Sequence, residues 1–177
     1  MGRVNAWGLL TRLLPRKHGP VKSFDQELEA AGGLAGRYDA GVKIVPTQKV
    51  VGSVGRARNL RSDFFYRSGQ AVTERFLRIG RAMERGVALP PLELYKVKLR
   101  RRQGEQTQQV SEYYVVDGHH RVAMARKLGQ DFLDAHVVEY KVPDGAPTVP
   151  LGPPIHPAAP APPEQWDGDE ARGAPLA

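Results

Sequence analysis

Val115-Val116-Asp117-Gly118-His119-His120-Arg121-Val122-Ala123-Met124-Ala125-Arg126-Lys127-Leu128-Gly129 is the stretch that orders the rest of the chain. It opens with strand-type apolar residues, bends at a glycine and continues into helix formers, with Val122, Ala125 and Leu128 within one helical stripe. Gly129 stands where a helix-terminating glycine belongs. The pattern predicts strand, tight turn, helix. Such a helix aims its first backbone N–H groups, which lack intrahelical acceptors, and the positive end of its dipole at the turn. With Gly118 admitting close approach and His119, His120 and Arg121 packed around that end, the junction suits a phosphate or nucleotide. Arg121 can grip an anion through two N–H groups, and a histidine can donate in either protonation state. Asp117, at the strand end, is placed to orient a histidine, hold a hydroxyl or share a divalent metal. The plainer reading is a surface histidine pair beside an Asp-Gly turn that caps a helix. Neighbouring helical residues point about 100° apart, so His119 and His120 alone make a poor metal chelate.

Upstream, Tyr95, Val97 and Leu99 alternate with Lys96 and Lys98, and Glu112 to Asp117 returns as a second strand. The two predict a β-hairpin with a long polar tip over 100–106. Before it, Val72, Phe76, Ile79 and Met83 draw one apolar stripe, with Thr73 as N-cap, Glu74 in the first turn and Gly86 closing the helix. Leu89-Pro90-Pro91 forces an extended exit. Val42-Lys43-Ile44-Val45-Pro46 predicts a first strand, followed by a glycine-bearing loop over 49–56. The stretch 56–68, rich in Arg and holding Phe64, Phe65 and Tyr66, gives no clear period. Downstream, a β-type segment over 132–142 completes a domain expected to span 39–142.

Charge and composition frame this domain. The 177 residues carry 26 Lys+Arg against 19 Asp+Glu, a net charge of +7, with 15 Pro and no Cys. Residues 143–177 hold ten of those prolines and five acids against one base, so residues 1–142 carry 25 bases against 14 acids. A segment so rich in Pro, Ala and Gly has little to bury and is expected as a disordered tail, or a docking tail for a protein partner. Residues 1–38 read as an N-terminal extension, with Leu9, Leu10, Leu13 and Leu14 at helical spacing as a frayed stretch, a small docking helix or a surface anchor. The absence of cysteine excludes thiol catalysis, disulfides and iron–sulfur clusters. No apolar run approaches the ~20 residues that span a bilayer. We expect no membrane role, and a cytoplasmic protein that could associate with the nucleoid.

Asp117-Gly118-His119-His120-Arg121-Val122-Ala123-Met124-Ala125, followed by Leu128-Gly129, resembles the signature of the ParB N-terminal-domain/sulfiredoxin-like superfamily. The Ile44-Val45-Pro46 strand and the Val51-Gly52-Ser53-Val54-Gly55-Arg56 loop are similar to the opening of that domain. The resemblance implies an α+β fold, a compact mixed sheet with packed helices, whose motif helix takes nucleotide phosphates at its N-terminus. By that likeness Gly118, His119, His120 and Arg121 form the phosphate-binding turn, and Ser53, Gly55 and Arg56 the facing loop. The ligand implied is a nucleoside tri- or diphosphate, with or without Mg²⁺. The chain also departs from its models. Sulfiredoxins act through a cysteine in this turn, which is missing here. Partition-type CTPases resemble Gly-Glu-Arg-Arg-x-Arg-Ala there, whereas His119, His120 and Ala123 occupy the Glu, first Arg and last Arg places. Those proteins also continue into a helix-turn-helix reader, where this chain runs into proline.

Three functional readings follow. The first is a nucleotide- or phosphate-binding domain acting as a DNA-associated regulatory or accessory protein. The second is an enzyme on the same scaffold: a nucleotide hydrolase, a small-metabolite kinase or a nuclease. It would need a carboxylate at the turn, with Asp117 nearest and Asp63, Glu74 and Glu112 as alternatives. The third is a non-catalytic interaction module. For DNA, Arg56, Arg58, Arg61, Arg67, Arg75, Arg78, Arg81, Arg85 and the basic hairpin over 96–102 could follow a phosphate backbone, with Phe64, Phe65 and Tyr66 stacking on bases. The alternative is that these arginines form an ordinary solvated face.

Overall fold

The computed structural model describes residues 21–67, 74–103 and 105–150. The expected stretch at 9–14, the Val72 and Thr73 helix entry and the chain from 151 onward lie outside them. Within them the fold is α+β, with ten elements in chain order. Strand β1 (Lys22–Ser23) runs into helix α1 (Phe24–Ala30), then β2 (Gly36–Pro46), β3 (Val50–Ser53) and helix α2 (Glu74–Glu84). Strands β4 (Leu92–Gln103) and β5 (Gln106–Asp117) form the hairpin, helix α3 (His119–Leu128) follows, and β6 (Phe132–Lys141) and β7 (Val149–Pro150) end the domain. One mixed sheet takes the order β1-β3-β5-β4-β6-β2, with β7 beside the far end of β4. β4/β5 and β2/β6 are antiparallel; β1/β3, β3/β5, β4/β6 and β4/β7 are parallel.

Each face of the sheet has its own core. On one, Leu92, Leu94, Val115, Ala135 and Val137 meet Phe76 of α2 and Val122, Ala123 and Ala125 of α3. Gly80 on α2 leaves room for the Met124 side chain of the adjoining helix. On the other, Phe24 of α1 sits edge-on against Tyr95, Tyr114 and Tyr140, with ring centroids 5.2, 5.4 and 4.9 Å away, a preferred aromatic geometry.

Several expectations change in extent. The domain begins before residue 39 and ends after 142. β1 pairs with β3, Phe24 and Ala31 are buried, and so are Ala146 and Val149, the latter beside β4. The loop expected over 49–56 contains a strand, β3, because Val50 and Ser53 are buried on a parallel ladder with β5. The hairpin tip is short, since β4 and β5 stay paired out to Gln103 and Gln106. Arg101 explains why basic residues continue as strand: its fully buried guanidinium bonds Glu112 at 3.0 and 2.5 Å and meets Glu27 of α1 at 2.7 Å. Leu128, expected on the apolar stripe of α3, is exposed instead, while Val122 to Arg126 are all buried. A helix enclosed on most sides shows little periodicity, which is why the stripe misleads.

Candidate functional site

The turn between β5 and α3 depends on Gly118. Its φ of 99° is left-handed, where a side chain is strained. A Cβ there would also lie 2.2 Å from Leu92 Cδ2. The glycine is thus required by the buried start of β4 as well as by the bend. The Arg121 and Val122 N–H groups both donate to the Gly118 carbonyl, at 2.9 and 3.1 Å, and start the helix. The positive end of the α3 dipole therefore faces the bend.

Around this end lies a pocket of about 130 Å³, lined by Arg56, Tyr66, Ile79, Asp117, Gly118, His119, His120 and Arg121. The facing loop and the motif turn do meet here, and their contents divide by role. Arg56, exposed, donates from Nη1 to the Tyr66 hydroxyl at 3.1 Å. Arg121 donates from Nη1 to the Pro90 carbonyl and from Nη2 to Asp117 Oδ2 at 3.3 Å. Asp117 is 68% exposed, so it sits at the mouth. His120 is half-buried, edge-on to Tyr66 and to Phe76, each at 5.7 Å.

His119 departs from the expected role. It is turned inward, 5% exposed, with Nε2 2.7 Å from the Ser53 hydroxyl. Burial, reinforced by the nearby Arg56 cation, pushes its pKa down to about 4. At neutral pH the ring is uncharged and spends one nitrogen on Ser53. The family resemblance implies phosphate contacts for both residues; in the structure they tie β3 to α3. Gly55, at φ 75° and exposed, shapes the loop that carries Arg56. The net character of the pocket is two guanidinium groups, one carboxylate and a helix N-terminus.

The carboxylate alternatives are engaged elsewhere. Asp63 is buried in a turn, bonded by Arg61 at 2.6 Å and by the Phe65 N–H at 3.1 Å. Glu112 belongs to the Arg101 cluster on the opposite face. Glu74 stands exposed in the first turn of α2, where it complements the dipole. The proposed base-stacking aromatics are also committed. Phe64 is fully buried in a left-handed conformation (φ 68°), with the Arg126 guanidinium 4.7 Å over its ring. Phe65 packs edge-on against Phe76 at 5.3 Å.

Sequence reasoning missed a second, wider groove next to the pocket, of about 540 Å³. It shares Ile79, Asp117 and Arg121 with the pocket and adds Arg78, Leu89, Pro90 and Glu93. The signal was the Leu89-Pro90-Pro91 run: an extended proline segment has carbonyls to spare, and Arg121 takes one of them. Among the described residues no group of three or more His, Asp or Glu is gathered to hold a metal ion, and no helix is long and apolar enough to cross a membrane.

No family model and no curated protein matches the sequence. Among solved structures the chain is similar to the C2221 form of a Pnob8-like ParB-N domain, at 12% identity and a TM-score of 0.34, over 63% of this chain and 34% of that one. The chain thus spans about a third of that structure's length.

Proposed function

We propose that this domain binds the phosphate groups of a nucleotide in the pocket at the N-terminus of α3, as a ligand-responsive regulatory or accessory module. The observation that carries this reading is the convergence of Arg56, from the segment after β3, and Arg121, from the first turn of α3, on that helix N-terminus. Two guanidinium groups and a positive dipole end favour an anion of two or more charges. His120, at the rim between Tyr66 and Phe76, adds a further donor. A nucleotide arriving with Mg²⁺ brings phosphate ligands for the ion, and Asp117 is the carboxylate at the mouth suited to join them. Binding would draw Arg121 from Asp117 onto phosphate, exchanging an exposed ion pair of small worth for a charge-assisted fork.

Calorimetry with ATP, ADP, CTP, GTP and inorganic triphosphate, each with and without Mg²⁺, tests the reading. We expect saturable binding to at least one of these, weakened on the order of tenfold or more by Arg56→Ala and by Arg121→Ala. The absence of heat across the panel overturns it. Asp117→Asn separates a binding module from an enzyme: a module keeps its affinity for metal-free ligand and shows no turnover in either form.

A further inference from the structure

The β4/β5 hairpin carries a second basic feature, toward the end of its ladder opposite to the pocket turn. On the sheet face that α2 and α3 cover only near Leu92, Leu94 and Val115, β4 continues with Lys96, Lys98, Arg100 and Arg102. Alternate residues of a strand share a face and stand about 6.7 Å apart, so these cations form a straight file. Their ladder partners on β5 are Tyr113, Ser111, Gln109 and Thr107. Lys96 is held by Glu139 at 2.7 Å and Lys98 is 3.4 Å from the same carboxylate. Arg100 and Arg102 are exposed, and among the described residues no carboxylate lies within 4 Å of either.

We infer that this file, Lys98, Arg100 and Arg102 with the Thr107 and Gln109 side chains beside them, is a docking face for the phosphate backbone of double-stranded DNA. The chemistry selects the partner. A protein interface draws its energy from buried aromatic and apolar anchors, and the exposed part of this file has none. A membrane surface calls for apolar side chains to enter the lipid as well as charge. Protein–DNA interfaces are polar and strongly positive, with backbone contacts from Arg, Lys, Thr and Gln. The face is also rigid. On its reverse side Arg101 is locked to Glu112 and Glu27, and β7 pairs alongside at Arg101 and Arg102. Little ordering is then required on binding.

Fluorescence anisotropy of a labelled duplex across a salt series, with the full chain throughout, tests the inference. The Arg100→Ala/Arg102→Ala double variant should bind on the order of tenfold more weakly per arginine at 0.1 M salt, and its log–log salt slope should shrink by about 2. Scrambling the duplex sequence should change nothing. Arg121→Ala should leave duplex binding intact, so failure of the pocket and failure of this face are read separately. Both arginine side chains are exposed, and the melting curve of the double variant should overlay that of the parent; Lys98→Gln is a second, milder variant that should reduce the slope by about 1. Equal slopes and affinities for parent and variants overturn the inference, as does retention on anionic phosphatidylserine vesicles without duplex binding.

Discussion

At the scale of single residues, Gly118 and His119 show how a motif that reads as ligand chemistry is first a solution to folding. Gly118 stands in left-handed backbone with Leu92 Cδ2 where a methyl group would go. Gly118→Ala should therefore destabilise the fold by about 2–4 kcal/mol, combining the φ penalty with overpacking. Thermal unfolding measures it, and an unchanged midpoint would refute it; Gly118→Val should be worse. His119 makes the pH-dependent counterpart. Its folded pKa, near 4, lies below the unfolded value of 6.5. The unfolded chain therefore takes up the proton first as pH falls. Stability from this residue is complete above about pH 6.5 and is lost on descent toward pH 4, by about 1–3 kcal/mol. His119→Gln, which keeps a hydrogen-bonding group for Ser53, should flatten urea-derived stability over that window. A slope equal to the parent's would show that His119 does not titrate as placed.

Among the elements, the hairpin and α1 are joined by a buried charge cluster. Arg101 contacts Glu112 and Glu27, Lys22 meets Glu112 at 2.8 Å, and the Tyr114 hydroxyl donates to Glu112 at 2.6 Å. Burial alone would raise the Glu112 carboxyl; the bonds from Arg101, Lys22 and Tyr114 outweigh it and hold it below its ordinary 4.5. Its contribution is present above that value and lost as pH falls through the lowered one, a window that opens at lower pH than that of His119. Removing one partner strands the others, so Glu112→Gln should cost about 3–5 kcal/mol, and the Arg101→Met/Glu112→Leu double variant should cost less than the sum of its two singles, because each single already breaks the bond the two share. Denaturant titration of the single and double variants decides this; additive losses would refute the coupling. This cluster also marks where sequence reading stops. The alternation of Tyr95, Val97 and Leu99, the stripe ending at Met83 and the Asp117–Gly129 strand, turn and helix were legible, because each is a local period or a glycine rule. Arg101 as a core residue was not, since nothing local distinguishes it from Arg100 and Arg102. Its burial depends on Glu27 and Glu112, 74 and 11 positions away in a fold that sequence periodicity does not specify. The site followed the same rule: Gly118, His120 and Arg121 at the pocket were suggested by motif chemistry and Arg56 by the family resemblance, while the inward turn of His119 and the Leu89–Glu93 groove came from tertiary packing.

For the molecule as a whole, the two faces of the sheet impose different demands on chain length. The face under α2 and α3 is served mainly by residues between 40 and 137, within the span that hydropathy patterning suggested, with Val21 added from before it. The opposite face depends on Phe24 and Ala31 before that span and on Val149 after it. Without β1 and α1, three tyrosine rings and the Arg101 cluster would face water, and Arg101 and Glu112 would lose Glu27 and Lys22. Phe24 alone accounts for about 3–5 kcal/mol on truncation to alanine, a sizeable fraction of a typical domain's 5–15 kcal/mol. A chain cut to 39–142 should accordingly show no cooperative thermal transition and weak near-ultraviolet dichroism, while one cut to 21–150 should melt cooperatively. Phe24→Ala in the full chain should lower the midpoint without abolishing the transition. A cooperative transition in the 39–142 chain at the parent's temperature would mean that the α1 face contributes nothing to the domain's stability.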